Sequence, residues 1–113
     1  MISLQLLLNR LTMLTFSVIK LPEMPKYVIE RDIPNAGDLS PAELKDISQT
    51  SCKVIEDMGP HIQWLHSYVA EDKVYCVYIA PGKDSVREHA QKGGFPVTAV
   101  YEVANVIDPV TAE

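Results

Sequence analysis

The residues best suited to chemistry are gathered between His61 and Pro81, in the segment HIQWLHSYVAEDKVYCVYIAP. This segment holds imidazoles, a thiol and an indole among apolar and tyrosine residues of the kind that strands favour. The polar residues 70–73 interrupt it and predict a β-hairpin with a tight turn. Imidazole and thiolate groups are common ligands of transition metals. A metal site is therefore the first hypothesis to weigh, although histidine and cysteine also serve as packed core residues.

His89 is the strongest single candidate, because it falls on the inward stripe of a short predicted helix that a Gly-Gly-Phe-Pro loop follows. The alternative is a buried histidine that is hydrogen-bonded to a carbonyl or a hydroxyl. Glu30 alternates with Ile29 in the first predicted strand. If Glu30 faces inward, it needs His89 or a metal as its partner, since a lone buried carboxylate is costly. For Arg31 we expect a pair with a neighbouring acid.

Three further donors are candidates. His66 is expected to share a strand face with Trp64 and Tyr68, and the alternative is a surface histidine packed against those rings. Cys76 lies in the middle of a predicted strand, and Cys52 lies on the flank of a helical apolar stripe. For both cysteines the alternative is a small buried hydrophobe. No C-x-x-C or H-E-x-x-H pattern is present, so any site must be assembled from separate elements.

The charge balance argues against a nucleic-acid partner. The 113 residues carry a formal net charge of −5, and removing Arg10, Lys20 and Glu23 with the first 24 residues leaves −6. Affinity for nucleic acids rests largely on cationic side chains. Two cysteines are too few for a disulfide scaffold, which favours a cytoplasmic protein with reduced thiols.

Residues 1–24 differ in character from the rest of the chain. They are rich in leucine, but Asn9, Arg10 and Lys20 interrupt them, so the run of about 18 apolar residues that a membrane span requires is missing. A basic start and an A-x-A-like cleavage site are missing as well, which argues against a signal peptide. We expect an N-terminal extension over residues 1–24, with the native start at Met24, and one domain over residues 25–113.

The predicted elements follow the order βαββαβ. Strands are expected at 27–31 and 98–107 and a helix at 41–58 that begins with a capping box at Ser40; the hairpin comes next, and then a second helix capped by Asp84. With right-handed crossovers this order predicts an α+β, ferredoxin-like fold, in which two helices lie on one face of a four-stranded antiparallel sheet.

The second face of the predicted sheet is expected to be covered. A solvated face alternates cleanly with polar side chains, and neither face of the predicted strands is dominated by them. Self-association through sheet faces or edges is the simplest cover, which predicts a homodimer.

Several stretches of the domain together carry a family resemblance. They are Pro25–Arg31, Ile62–Trp64 with Ser67–Val69, Tyr75–Pro81, and Val86–Ala90 with Gly93–Pro96. From about Met24 onward the chain resembles a family of small bacterial proteins with characterised nickel-binding members and a ferredoxin-like, dimeric α/β-barrel fold. The resemblance implies nickel binding, for handling or sensing the metal, with copper or zinc as competitors. Cys76 and His89 lie inside the matching stretches, whereas His66 lies between two of them.

Two other functions stay open. Dimeric α/β-barrel folds also host cofactor-independent monooxygenases and isomerases, in which His89 would be the general base and Glu30 its orienting carboxylate. A ligand-shaped pocket lined by Tyr68, Tyr78 and Phe95 would favour such an enzyme. The third function is a structural or interaction module in which every candidate donor serves the core, since fold alone does not decide function.

Overall fold

Four strands and two helices make up the computed structural model, which describes residues 24–113. In chain order they are β1 (Lys26–Asp32), α1 (Pro41–Met58), β2 (Gln63–Val69), β3 (Lys73–Ile79), α2 (Lys83–Gly93) and β4 (Ala99–Glu102). Short 3-10 turns lie at Ala36–Asp38 and Pro109–Ala112. The strands form one antiparallel sheet in the order β2-β3-β1-β4, which confirms the predicted ferredoxin-like α+β fold.

The two faces of this sheet differ in their surroundings. One face, here called the helix face, packs against the helices, and the other is called the open face. The register of β1 against β3 pairs Ile29 with Cys76 and Arg31 with Val74, and all four side chains are buried on the helix face. Since side chains alternate along a strand, Glu30 projects from the open face.

The start of α1 matches its prediction. The Ser40 hydroxyl accepts the N–H of Glu43 at 3.1 Å, and the Glu43 carboxylate accepts the N–H of Ser40 at 3.2 Å. Pro41 occupies the first helical position, where its missing N–H costs nothing. Gly59, with φ of 97°, ends the helix and bonds its N–H to the carbonyl of Ile55.

Strand β2 contains an irregularity that the sequence did not reveal. Trp64 pairs with Tyr78 and His66 pairs with Val77, so the extra residue, Leu65, forms a bulge between them. The bulge reverses the alternation of faces. Trp64 therefore lies on the helix face and His66 on the open face, and the prediction that they share a face is wrong.

The end of α2 directs an aromatic side chain back onto the helix. Gly94 adopts the left-handed conformation, with φ of 72°, and the next N–H, that of Phe95, bonds to the carbonyl of Ala90 at 2.8 Å. Gly93 has no room for a side chain, because an added Cβ would overlap the Phe95 ring. The start of α2 differs from its prediction, since the N-cap is Gly82 and Asp84 lies in the first turn.

The last strand is shorter than predicted. Strand β4 ends at Glu102 rather than at Ile107, and one further bond, from the N–H of Val103 to the carbonyl of Lys26, continues the ladder. Lys26 is the first residue of β1, so the pairing of the two strands ends there. Ile107 is accordingly 80% exposed.

The expected N-terminal extension, Met24 apart, lies outside the described residues. No helix within residues 24–113 is long and apolar enough to cross a membrane.

Candidate functional site

A cavity of about 90 Å³ lies between the helix face of the sheet and α1. Its wall is mostly apolar and includes a few polar groups, which is the usual composition of a small-molecule site. Among its lining residues are Arg31, Leu44, Ser48, Ser51, Cys76 and Tyr78. We refer to this cavity as the internal pocket.

Arg31 is the charged group of the internal pocket, and only 2% of its surface is exposed. Its Nε donates to the Cys76 sulfur at 3.3 Å, one terminal nitrogen to the carbonyl of Pro96 at 2.6 Å, and the other to the Tyr78 hydroxyl at 3.3 Å. The guanidinium carbon lies 5.4 Å from the centre of the Phe95 ring, a cation–π distance. Within residues 24–113 no carboxylate forms an ion pair with Arg31. The expected pair with a neighbouring acid is therefore wrong.

His89 lies fully buried beside this group. Its Nε2 is 3.2 Å from the Ser51 hydroxyl and 3.3 Å from the Ser51 carbonyl oxygen. A carbonyl only accepts hydrogen bonds, so Nε2 carries the proton. Nδ1 has no hydrogen-bond partner among the described residues. Burial lowers the pKa of His89 and the charge of Arg31 lowers it further, so the ring is neutral near pH 7.

Tyr78 joins the two buried groups. Its ring lies 5.1 Å from that of His89, which in turn stacks on Phe95 at 5.8 Å. Burial, assisted by Cys76, raises the pKa of Tyr78 to about 12. The phenol therefore keeps its proton at neutral pH and is available as a hydrogen-bond donor.

Glu30 takes no part in this cluster, because it lies on the opposite face of the sheet. The Lys73 ammonium lies 3.1 Å from Glu30 and 3.0 Å from Asp32. Lys73, together with Thr98, holds the pKa of Asp32 below its usual range. Glu30 does not face inward, so it neither pairs with His89 nor orients it as a catalytic carboxylate.

His66 and Cys52 are exposed at two further places. The His66 ring packs edge to face on Tyr68 at 4.9 Å, on the open face. Cys52 lies on the outer side of α1, in a surface groove that Glu56 also lines. Among the residues that the structure describes, no three histidine, cysteine, aspartate or glutamate side chains come close enough to hold a metal ion.

The internal pocket of a single chain does not suit a nickel ion. Cys76, which lines it, and the buried His89 are the two predicted donors nearest to it, and both lie beside Arg31, whose buried positive charge repels a cation. The other three predicted donors, Glu30, His66 and Cys52, are distributed over two strands and a helix. The assignment of these five residues as metal ligands stays a prediction.

Sequence reasoning gave too little weight to Arg31, Ser51 and Phe95. One signal was available, because Arg31 follows Tyr27 and Ile29 at a spacing of two and so shares their buried face. An arginine on an apolar strand face requires an explanation. The position of Phe95 depends on the backbone at Gly93 and Gly94, which residue spacing does not reveal.

The fold and the site define a small α+β domain of ferredoxin-like topology with an internal pocket. The chain belongs to the family described as "Nickel responsive protein SCO4226-like", which matches residues 27–103. This match confirms the resemblance that was noted from the sequence.

Among solved structures, the chain is similar to SCO4226 from Streptomyces coelicolor A3(2), with a TM-score of 0.62 and 14% sequence identity. The similarity covers 73% of this chain and 99% of the Streptomyces chain, and at that identity it supports the fold alone. The search of curated proteins found no match.

Proposed function

We propose that the protein is a nickel-responsive metal-binding protein that works as a homodimer, with donors from both copies holding the metal. Family membership over residues 27–103 is the observation that carries this proposal. The charge distribution supports the second part. The donors nearest the internal pocket lie beside a buried guanidinium, so the metal must use donors at the surface.

His66 is the leading surface donor. It is exposed on the open face, and its one ring contact, with Tyr68, is an edge-to-face packing that leaves the imidazole nitrogens available. Neutral imidazole suits nickel(II), and the affinity order of divalent metals makes copper a competitor. A single chain supplies too few donors at this place, and a second copy supplies a second imidazole.

The exposed rings on the open face favour pairing of two copies there. Tyr68 and Tyr101 leave 62% and 53% of their surfaces exposed. Large aromatic side chains are enriched at protein interfaces, where their burial stabilises association. A second copy packed on this face brings two His66 side chains toward one another.

Nickel titration of the full-length, untagged chain tests the proposal by isothermal calorimetry. We expect saturable binding with no more than one nickel per two chains at the highest-affinity site. His66→Ala should weaken that binding at least tenfold, about 1.4 kcal/mol. His61→Ala removes another exposed histidine and serves as the matched control, with affinity close to that of the unmodified protein.

Two results would overturn the proposal. The first is the absence of nickel from untagged protein purified from nickel-supplemented cells, together with no binding in the titration. The second is unchanged nickel affinity in His66→Ala. Unchanged affinity would remove His66 from the site and leave the surface groove that contains Cys52 and Glu56 as the place to examine.

An enzyme of the dimeric α/β-barrel type is the second candidate, and the internal pocket is the observation that favours it. Tyr78 and Phe95 line this pocket as that function requires. Tyr68 lies on the other face, and no carboxylate of residues 24–113 is a hydrogen-bond partner of His89. The pocket therefore supports ligand binding better than it supports general-base catalysis.

A further inference from the structure

We propose that the internal pocket binds a short-chain organic carboxylate, whose negative charge pairs with Arg31 and whose alkyl part lies against the apolar wall. This inference does not depend on nickel binding, because the two sites lie on opposite faces of the sheet. Its basis is a charge, a shape and a set of hydrogen-bond donors that all point to the same ligand chemistry.

The buried positive charge of Arg31 calls for a negative partner. Removing a guanidinium from water costs several kcal/mol unless an opposite charge accompanies it. Arg31 is 98% buried, and within the described part of the chain its partners are the sulfur of Cys76, the carbonyl of Pro96 and the hydroxyl of Tyr78, none of which is a carboxylate. An anionic ligand in the adjoining cavity supplies the missing charge.

The donors of Arg31 are only partly used. A guanidinium has five N–H groups, and the three bonds to Cys76, Pro96 and Tyr78 account for three of them. Among the contacts within residues 24–113, one N–H on each terminal nitrogen is left. Two N–H groups on the two terminal nitrogens suit the two oxygens of a carboxylate, which arginine recognises in this way in many proteins.

The shape of the pocket sets the size of the ligand. A cavity of about 90 Å³ is smaller than the roughly 150 Å³ that accommodates benzene, so only a small, slender ligand fits in it. Apart from its polar groups, the wall includes aliphatic side chains such as Leu44, Ile33 and Val74. A straight aliphatic monocarboxylate such as butyrate meets both requirements.

The positive charge of Arg31, beside a neutral His89, excludes a cationic ligand. A cationic ligand would be repelled by the guanidinium, and His89 is held neutral by burial, so it does not offset that repulsion. A neutral ligand would leave the charge uncompensated. Tyr78 also lines the pocket, and its hydroxyl, which keeps its proton, is able to donate a hydrogen bond to an anion but not to a cation.

The experiment compares three isosteric probes on the full-length chain at constant ionic strength: sodium butyrate, butyramide and butylammonium chloride. Saturable chemical-shift changes are followed at the side-chain Nε–H of Arg31 and the backbone N–H of Cys76. Butyrate should bind at least tenfold more tightly than butyramide. Butylammonium should produce no saturable shift at these positions.

Three variants assign the effect to the pocket. Arg31→Met should lower butyrate affinity about ten- to a hundredfold, since charge-assisted bonds are the stronger ones. Arg87→Met removes the exposed arginine of α2 and should leave the affinity unchanged. Ser48→Leu keeps Arg31 but fills part of the cavity from the helix side, and it should also abolish the response. If Arg31→Met fails to fold, Ser48→Leu decides the matter.

Several outcomes would overturn the proposal. Equal affinity for butyrate and butyramide would show that the pocket does not recognise the negative charge of the carboxylate. Retained butyrate binding in folded Arg31→Met, or in Ser48→Leu, would place the ligand elsewhere. If butyrate does not bind and Cys76 reacts with iodoacetamide at neutral pH much faster in the unmodified protein than in Arg31→Met, then a Cys76 thiolate is the counter-ion and no ligand is required.

Discussion

Arg31 and His89 are neighbours in the core, and burial affects their protonation differently. Arginine stays charged in any protein environment, so its burial creates a demand for an anion or for many acceptors. Burial favours the neutral form of histidine, and desolvation accordingly lowers the pKa of His89. The charged residue is therefore the one that indicates a ligand, and the neutral one completes the packing around Tyr78 and Phe95.

The lowered pKa of His89 makes stability depend on pH. Between the lowered folded value and the ordinary value of 6.5, the unfolded chain binds more protons than the folded chain. The free energy of unfolding therefore falls as the pH drops below about 6.5, by at most about 1.4 kcal/mol per pH unit, and the contribution is complete above 6.5. Tyr78, with a pKa of about 12, does not titrate in this range.

Urea unfolding at pH 7.5, 6.5 and 5.5 measures this slope. His89→Gln keeps an amide N–H near the position of Nε2 but has no titrating ring, so its unfolding free energy should lose part of the pH dependence. His61→Gln, which removes an exposed histidine, should keep the slope of the unmodified protein. Identical slopes in His89→Gln and the unmodified protein would contradict the argument.

At the scale of single residues, the sequence predicts which side chains are buried better than it predicts their hydrogen-bond partners. The spacing of His89 on the inward stripe of its helix predicted its burial, and the structure agrees. The hydroxyl that it meets, Ser51, comes from another helix, 38 residues away. The partners of Arg31 are 45 to 65 residues distant. Contacts of that kind arise from tertiary packing, which no local pattern encodes.

At the scale of elements, prediction succeeded where a local signal was strong and failed where the partner strand decided. The capping box at Ser40 and the Gly-Pro stop fixed the length of α1. The end of β4 depends on where β1 begins, so apolar residues up to Ile107 did not extend the strand. The bulge at Leu65 was not predicted, and it matters most for the site, because a shift of one residue moves His66 to the other face of the sheet.

The turn after α2 holds the Phe95 ring against Gly93, so a side chain added at Gly93 is expected to lower stability. In Gly93→Ala the added methyl group meets the Phe95 ring, so the ring must shift, which changes its contacts with Arg31 and His89. Overpacking of this kind typically costs about 1 to 3 kcal/mol. Chemical denaturation should show a loss in that range, and the Arg31 Nε–H resonance should shift because the ring above it has moved.

Gly82→Ser is the control for this substitution. A Cβ at Gly82 meets nothing within 4 Å, and the backbone there is extended, a conformation that any residue adopts. Serine at this N-cap also supplies a side-chain oxygen that the helix lacks, so stability should be unchanged or slightly higher. A Gly93→Ala protein as stable as Gly82→Ser would show that Phe95 yields without cost.

At the scale of the whole molecule, the two faces of the sheet divide the chemistry. The helix face encloses a buried cation and an apolar cavity, whereas the open face carries carboxylates, an imidazole and exposed rings. These charges agree with the anion that we propose for the first face and with the metal cation that we propose for the second. Because the sheet separates the two, each proposed site is testable while the other is intact.

We expect two chains to associate through the open face, which is where the proposed metal site lies. Size-exclusion chromatography with light scattering should give twice the 12.6 kDa chain mass at micromolar concentration. Tyr68→Lys places a charge where a large apolar ring would be buried, so it should weaken the dimer at least tenfold. The added ammonium lies beside His66 and itself repels a metal ion, so the uncharged Tyr68→Ser is measured in parallel, and a loss of nickel affinity in both variants would come from the lost partner.

Val110→Lys adds the same charge to the exposed C-terminal turn and should leave both the mass and the nickel affinity unchanged. If the unmodified protein is a monomer across this concentration range, the shared metal site has no second set of donors. Dimerisation that survives Tyr68→Lys would place the interface elsewhere. Nickel affinity retained by a fully monomeric Tyr68→Lys would separate metal binding from association, because one chain would then suffice to hold the ion.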